Sequence, residues 1–208
     1  MATRTRSAKV RLPPERILKE AALLFSEVGV DGASMRALAE RLGVTKAALY
    51  YHFPSKEAIH FQIHLEVIDD VLSKLVAIHG TYLPARAKVH GVVNLILESI
   101  THHRGEFTVL LREGTLLAPD HWLTIQERRR QFRLLVKEIL EEGMRNGEFA
   151  ILDLDAATLA LLGMCNWSYT WLDPKGRLSG TELAYHFSEI FISGISAPDN
   201  VKTSDQAS

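Results

Sequence analysis

The sequence predicts an all-α protein, with a three-helix amino-terminal head carrying a helix-turn-helix and a six-helix body behind it. Three observations predict this. Nearly every segment repeats its apolar residues at helical period, no run alternates in the manner of a strand, and Gly, Pro and Asn breaks recur at helix-length intervals. A chain of 208 residues, 47% of them hydrophobic, has room for a small domain joined to a larger one, each with its own core.

Residues 1–10 are polar and basic and are expected to form a flexible tail. Pro13-Pro14 opens the first helix, where a missing N–H does no harm; its stripe runs Ile17, Ala21, Leu24, Phe25, Val28, and Gly29 stops it. Ser34 is a good N-cap for a short second helix that buries Leu38, Ala39 and Leu42 and ends at Gly43. Thr45 caps a third, with Leu49 and Phe53 as its core residues. Pro54 breaks the chain, Ser55 caps again, and a long helix is expected over 56–79. Five more follow at 85–103, 105–117, 120–146, 153–172 and 180–194. They are divided at Gly80 to Pro84, Gly105, Pro119, Asn146-Gly147 and Asp173 to Gly176. The domain reading is a basic tail (1–10), a helix-turn-helix domain (11–56), a ligand-binding and dimerisation body (57–196) and a disordered tail (197–208).

The net charge of −1 conceals an asymmetry. Residues 1–56 hold ten of the 24 Lys/Arg and five of the 25 Asp/Glu, which leaves 14 basic against 20 acidic side chains in the rest. A basic head on an acidic body favours a polyanionic partner at one end only. The single cysteine, Cys165, excludes an intramolecular disulfide and fits a reducing compartment. No stretch approaches the ~20 apolar residues of a membrane span, and the first residues lack the apolar run of a secretory signal. A soluble, cytoplasmic protein with no membrane partner is expected.

Two short helices separated by Gly43-Val44, behind a longer first helix, have the ingredients of a helix-turn-helix. The glycine permits the sharp turn, Val44 fills the small core, and the outer face of 45–52 is left free for the major groove. Thr45, Lys46, Tyr50 and His52 supply donors and aromatic contacts there, while Ala47 and Ala48 keep the helix slim. The free N–H groups near Ser34 and Lys56 suit phosphates. The segment from Ser34 to Glu57, above all Leu49-Tyr-Tyr-His-Phe-Pro-Ser-Lys-Glu57, closely resembles the amino-terminal signature of TetR-family regulators. With the first helix the match covers residues 12–60. The resemblance implies that Thr45, Lys46, Tyr50, Tyr51 and His52 face double-stranded DNA. It also implies phosphate contacts from Ser34, Arg36 and Lys56, and a reach of Arg4 and Arg6 into an adjacent groove. Tyr51 has a second reading, as a core residue holding the third helix on the first.

The resemblance further implies that the body holds a small-molecule cavity and pairs two subunits through its last two helices. The eighth helix is apolar nearly all round (Leu159, Ala160, Leu161, Leu162, Met164), which implies burial on more than one face, and the ninth spaces Leu183, Phe187, Ile190 and Phe191 at helical period. A homodimer through an intersubunit four-helix bundle is expected, against the alternative of a monomeric core. Candidate ligand contacts are Asn166, Trp167 and Trp171, joined by Phe107, Leu111 and Trp122. The stretch from Asn166 to Trp171, followed by Asp-Pro-x-Gly, resembles the subgroup that controls fatty-acid or sterol breakdown, whose members commonly respond to acyl-coenzyme A. Arg128, Arg129, Arg130 and Arg133 then become candidates for its phosphates, although consecutive helical arginines diverge and Glu127, Glu138 and Glu141 stand ready to pair on the surface.

An enzyme is the rival class. His60 and His64 lie one turn apart, as do Glu98 and His102, with His103 following, and such spacing binds metal where two helices converge. Against it stand the missing His-Glu-x-x-His, Cys pair, glycine-rich phosphate loop and nucleophile elbow. No metal, cofactor or catalysis is therefore expected, and Cys165 beside Met164 reads as packing. The expected function is DNA-binding transcriptional regulation: repression at a palindromic operator, relieved by a small apolar or acyl-coenzyme A effector. Activation and a non-sensing DNA-binding adaptor remain as alternatives, since one head serves them all.

Overall fold

The computed structural model describes residues 12–112, 117–173 and 175–196, and among them nine α-helices carry the fold. The basic tail with Arg4 and Arg6, and the tail at 197–208, lie outside the described residues. The head comprises α1 (Pro14–Gly32), α2 (Met35–Leu42) and α3 (Lys46–His52). The body comprises α4 (Lys56–His79), α5 (Ala85–His102), α6 (Arg104–Arg112), α7 (Pro119–Arg145), α8 (Leu154–Trp167) and α9 (Gly180–Ile195). Phe149 and Ser196 make an isolated antiparallel bridge beside the end of α9.

Local chemistry sets the head's boundaries. The hydroxyls of Ser34, Thr45 and Ser55 accept the N–H groups of Ala37, Ala48 and Ala58 at 3.1, 3.2 and 3.1 Å, so each of α2, α3 and α4 begins on a side-chain cap. Gly43 ends α2 at φ 66°, a left-handed conformation that an L side chain adopts only at a cost. Gly29, at φ 76°, bends α1 instead of ending it. The N–H of Ala33 bonds back to the carbonyls of Gly29 and Val30, and one further turn forms beyond the expected stop.

Two hydrophobic cores result. The head core gathers Ile17, Ala21 and Phe25 of α1, Leu38 of α2 and Leu49 of α3, but it also takes Ile59 and Ile63 from α4 and Val109 from α6. The body core is built from Ile68, Val71 and Leu75 of α4 with α5, Ile125, Val136 and Ile139 of α7, Leu161 of α8 and Ile192 of α9. The head's apolar interior therefore extends past residue 56, onto two helices of the body.

One body helix is shorter than expected. α8 ends at Trp167 and gives way to a single 3-10 turn, Ser168–Thr170, because the Ser168 hydroxyl bonds back to the Cys165 carbonyl at 2.6 Å and its own carbonyl accepts from Trp171 and Leu172. α6 is described as far as Arg112, and 113–116, where its continuation is expected, lie outside the described residues. Long-range polar contacts tie the body together. Pro84 offers α5 no side-chain cap, and the Glu148 carboxylate takes that role, accepting the N–H groups of Ala85 and Arg86 at 3.0 Å each. The buried Lys88 reaches Glu142 at 2.8 Å. Arg128–Asp69 at 2.8 Å and His79–Glu138 at 3.0 Å lash α7 to α4.

Gly143 on α7 marks the closest approach in the body, since a Cβ there would meet the Phe149 ring at 2.2 Å. Gly143→Ala is expected to cost about 1–3 kcal/mol by overpacking. A thermal melt should read this as a drop of several degrees.

Candidate nucleic-acid interface and ligand cavity

The turn at Gly43-Val44 buries Leu49 in the head core, and helical geometry then turns Thr45, Lys46, Ala47 and Tyr50 outward. The Lys46 ammonium lies 5.6 Å from the Tyr50 ring centroid, which holds both groups on one face. Tyr51 is 86% exposed, so its reading as a core residue is corrected: its ring stands edge-on to His52 in solvent and does not pack on α1. Ser34 and Arg36 are exposed at the start of α2, with Arg36 paired only to its own-helix neighbour Glu40 at 2.8 Å. Such an exposed pair is worth little and yields readily to a phosphate. Lys56 is placed differently. Its ammonium turns inward and donates to the carbonyls of Val30 at 2.7 Å and Ala33 at 3.3 Å, securing the end of α1 to the start of α4.

Behind the head, α4, α5, α6, α7 and α8 line a largely apolar cavity of about 350 Å³ that is open to solvent beside Leu159 and Arg133. Phe107 and Leu111 of α6 line it, together with Asn166 of α8. Its cations are Arg129 and Arg133, one helical turn apart on α7. The other two arginines of the run face away, Arg128 to Asp69 and Arg130 to Glu127, each at 2.8 Å. Arg129 is largely buried, donates to the Leu110 carbonyl and stacks over Trp122 with its guanidinium carbon 5.5 Å from the ring centroid. Trp122 thus touches the cavity through Arg129. Desolvation lowers the basicity of Arg129, and no carboxylate pairs with it among the described residues. Trp167 and Trp171 are not among the lining residues and are 66% and 50% exposed, because the helical phase that sends Leu161 and Cys165 inward sends Trp167 out.

His60 and His64 are buried, with Nε2 of one 3.1 Å from Nε2 of the other. Burial pushes His60 down to about 4. The same desolvation, with the nearby charges of His60 and Arg129, takes His64 to about 3. Among the described residues no group of three or more His, Cys, Asp and Glu side chains is arranged to hold a metal. His102 bonds the Glu98 backbone carbonyl at 2.8 Å rather than converging on its side chain. Burial raises the Cys165 thiol to about 12, which leaves it protonated and unreactive. No helix among the described residues is long and apolar enough to cross a membrane.

A capped helix pair with an outward polar and aromatic face, set on a helical body that lines a cavity, defines a DNA-binding transcriptional regulator of the helix-turn-helix class, not an enzyme. The chain belongs to the TetR family: residues 17–63 match the family of bacterial regulatory proteins, tetR family, and residues 82–195 match the tetracyclin repressor-like C-terminal domain. It is similar to the HTH-type transcriptional repressor KstR2 of Rhodococcus jostii (strain RHA1), at 27% identity over 186 residues, 88% of this chain and 91% of that one. The crystal structure of PfmR, a TetR family transcriptional regulator from Thermus thermophilus, matches with a TM-score of 0.81 at 29% identity, covering 86% of this chain and 97% of that one. AibR, solved in complex with isovaleryl coenzyme A and operator DNA, matches with a TM-score of 0.77 at 24% identity, covering 85% and 96%, a likeness of fold.

The histidine pair makes stability pH-dependent with a defined sign. Both folded-state values lie below the ordinary 6.5, so between about 6.5 and 4 the unfolded chain binds more protons than the folded one. Stability is therefore full above pH 6.5 and declines as pH falls towards 4. A chain carrying His60→Leu and His64→Leu should show a flatter melting temperature across that window, measured by calorimetry at fixed ionic strength.

Proposed function

We propose that this protein is a homodimeric repressor that leaves a palindromic operator when an acyl-coenzyme A thioester enters its cavity. The observation that carries the effector reading is Arg129, a desolvated cation facing an apolar chamber with a carbonyl and an indole for company and no carboxylate among the described residues. A buried charge in that situation gains from a guest that brings an apolar chain and a carbonyl or anionic oxygen together. Asn166 adds an amide to the same wall. The chamber is the size of an acyl group and smaller than the whole thioester. The nucleotide end accordingly lies outside, near the exposed Arg133. AibR, of the same fold, has been solved with isovaleryl coenzyme A and operator DNA together, which supports the ligand class.

Dimerisation rests on a second observation. α8 and α9 leave Trp167 and Ile190 exposed within one chain, on helices whose other side is buried in the body core. Two such pairs form a four-helix bundle, with Trp167 and Trp171 at or beside the joint. A two-fold dimer sets two α3 helices against two half-sites, and repression follows where the operator overlaps a promoter. Thr45, Lys46, Ala47, Tyr50, Tyr51 and His52 then meet base edges and adjoining sugar, while Ser34 and Arg36 meet phosphates. Lys56 acts from behind, by positioning the head.

Thermal shift with acyl-coenzyme A from isovaleryl to hexadecanoyl should raise the melting temperature, by the equivalent of about 2.7 kcal/mol at a hundredfold excess over Kd. Failure of every chain length to stabilise the protein would overturn the effector reading. On the DNA side, Lys46→Ala should weaken binding of a duplex selected from a randomised library and lower the slope of log K against log salt by roughly one. An unchanged slope and affinity would remove Lys46 from the interface.

A further inference from the structure

We propose that the buried His60–His64 pair is a positioning relay, carrying the state of Arg129 in the cavity to α1 in the DNA-binding head. This rests on the reading of the cavity as the effector site. Three observations converge on it. First, among the described residues the buried side-chain nitrogens without a partner are Nδ1 of His60, His64 and His121. His60 and His64 belong to α4, and His121 of α7 stacks on the α4 residue Phe61 with ring centroids 3.8 Å apart. Second, the Nε2–Nε2 contact of 3.1 Å requires one ring to donate and the other to accept. The donating ring is left with a bare Nδ1 and the accepting ring with an unsatisfied Nδ1–H, so the bond has two alternative tautomeric arrangements. Third, the pair lies between the head core and the cavity. His60 stands edge-on to Phe25 of the head core, with centroids 6.1 Å apart. His64 sits one helical turn before Ile68 on α4, and Ile68 lines the cavity together with Arg129.

Leucines at both positions would satisfy the packing without stranding polar atoms, so the imidazoles cost stability where they stand. A polar pair with two arrangements, at the joint between two cores, is a bistable element that both sites can bias. When a guest draws Arg129 towards itself, the field on His64 changes, the shared hydrogen bond readjusts, and Phe25 responds. Arg129 acts along a second line as well, through the Leu110 carbonyl on α6, whose neighbour Val109 is buried in the head core.

A ligand-free cycle on the full chain tests the relay. Affinity for the duplex selected by the unmodified protein is measured for the parent, Arg129→Met, His64→Leu and the double variant. Arg129→Met should change operator affinity at least fivefold in the parent and less than twofold in the His64→Leu background. His64→Gln, whose amide nitrogen stands where Nε2 does, should restore the response. If His64→Leu does not fold, His60→Leu breaks the same bond from the other ring and serves in its place. Effects that simply multiply, or no effect of Arg129→Met in the parent, would overturn the relay. A second arm titrates octanoyl-coenzyme A, which should bind the parent and His64→Leu equally and release DNA only from the parent. Absence of octanoyl-coenzyme A binding to the parent counts against the effector reading, while the ligand-free cycle still judges the relay.

Discussion

One unbroken helix belongs to two hydrophobic cores, and the rest of the molecule is organised around that constraint. α4 gives Ile59 and Ile63 to the head and Ile68, Val71 and Leu75 to the body. Its 24 residues span roughly 36 Å, and nothing in its interior interrupts the hydrogen-bond ladder. Close-packed cores deform little, so a shift of α4 within the body displaces its amino-terminal turns, and the head core goes with them. α6 repeats the arrangement on a smaller scale, with Val109 in the head core and Phe107 and Leu110 in the body core. The head is held at two points by helices that also wall the cavity.

The polar contacts around α4 make that coupling stiff. At its middle and its far end the helix is lashed to α7 through Arg128–Asp69 and His79–Glu138. At its near end Ser55 caps it, and the Lys56 ammonium ties its first turn to the last carbonyls of α1. Motion entering from α7 therefore reaches α1 with few compliant joints on the way. Lys56 illustrates how a residue matching a DNA-binding signature serves through geometry: it fixes the angle at which α3 is presented, whatever α3 then touches.

Much of the fold was legible because helix ends are decided locally. Ser34, Thr45 and Ser55 cap the helices their sequence context assigned to them, and Gly43 takes the left-handed turn that a helix-turn-helix needs. What stayed hidden depends on the phase of one helix against another. The run Arg128 to Arg133 announces that its members diverge, but only the packing of α7 on α4 and α8 decides that Arg129 and Arg133 face the cavity. The apolar circumference of α8 was visible, yet which side would be covered by its own chain was not, and Trp167 and Trp171 emerged outside the chamber. Tyr51 could be assigned to core or surface with equal reason until the register of α3 on α1 was known. His60 and His64 showed a metal-compatible spacing, whereas their mutual hydrogen bond depends on burial that spacing alone does not reveal.

A ligand shifts such a protein only by binding its two states unequally. An apolar chain filling an apolar chamber contributes nearly the same free energy wherever the head points, so on the proposed effector reading an acyl group would supply affinity more than switching. Arg129 is different, because its present partners, the Leu110 carbonyl and the Trp122 ring, belong to elements that hold the head and the mouth of α7. A guest oxygen can take another of the five guanidinium N–H groups, and as it draws the guanidinium towards itself the bond to that carbonyl weakens. α6, which offers the carbonyl, carries Val109 into the head core. On the proposed effector reading, the polar end of the guest, more than its hydrocarbon, is what can bias the position of α6 and so of the head. It follows that chain length should govern how tightly effectors bind, and the group next to the chain how completely they induce.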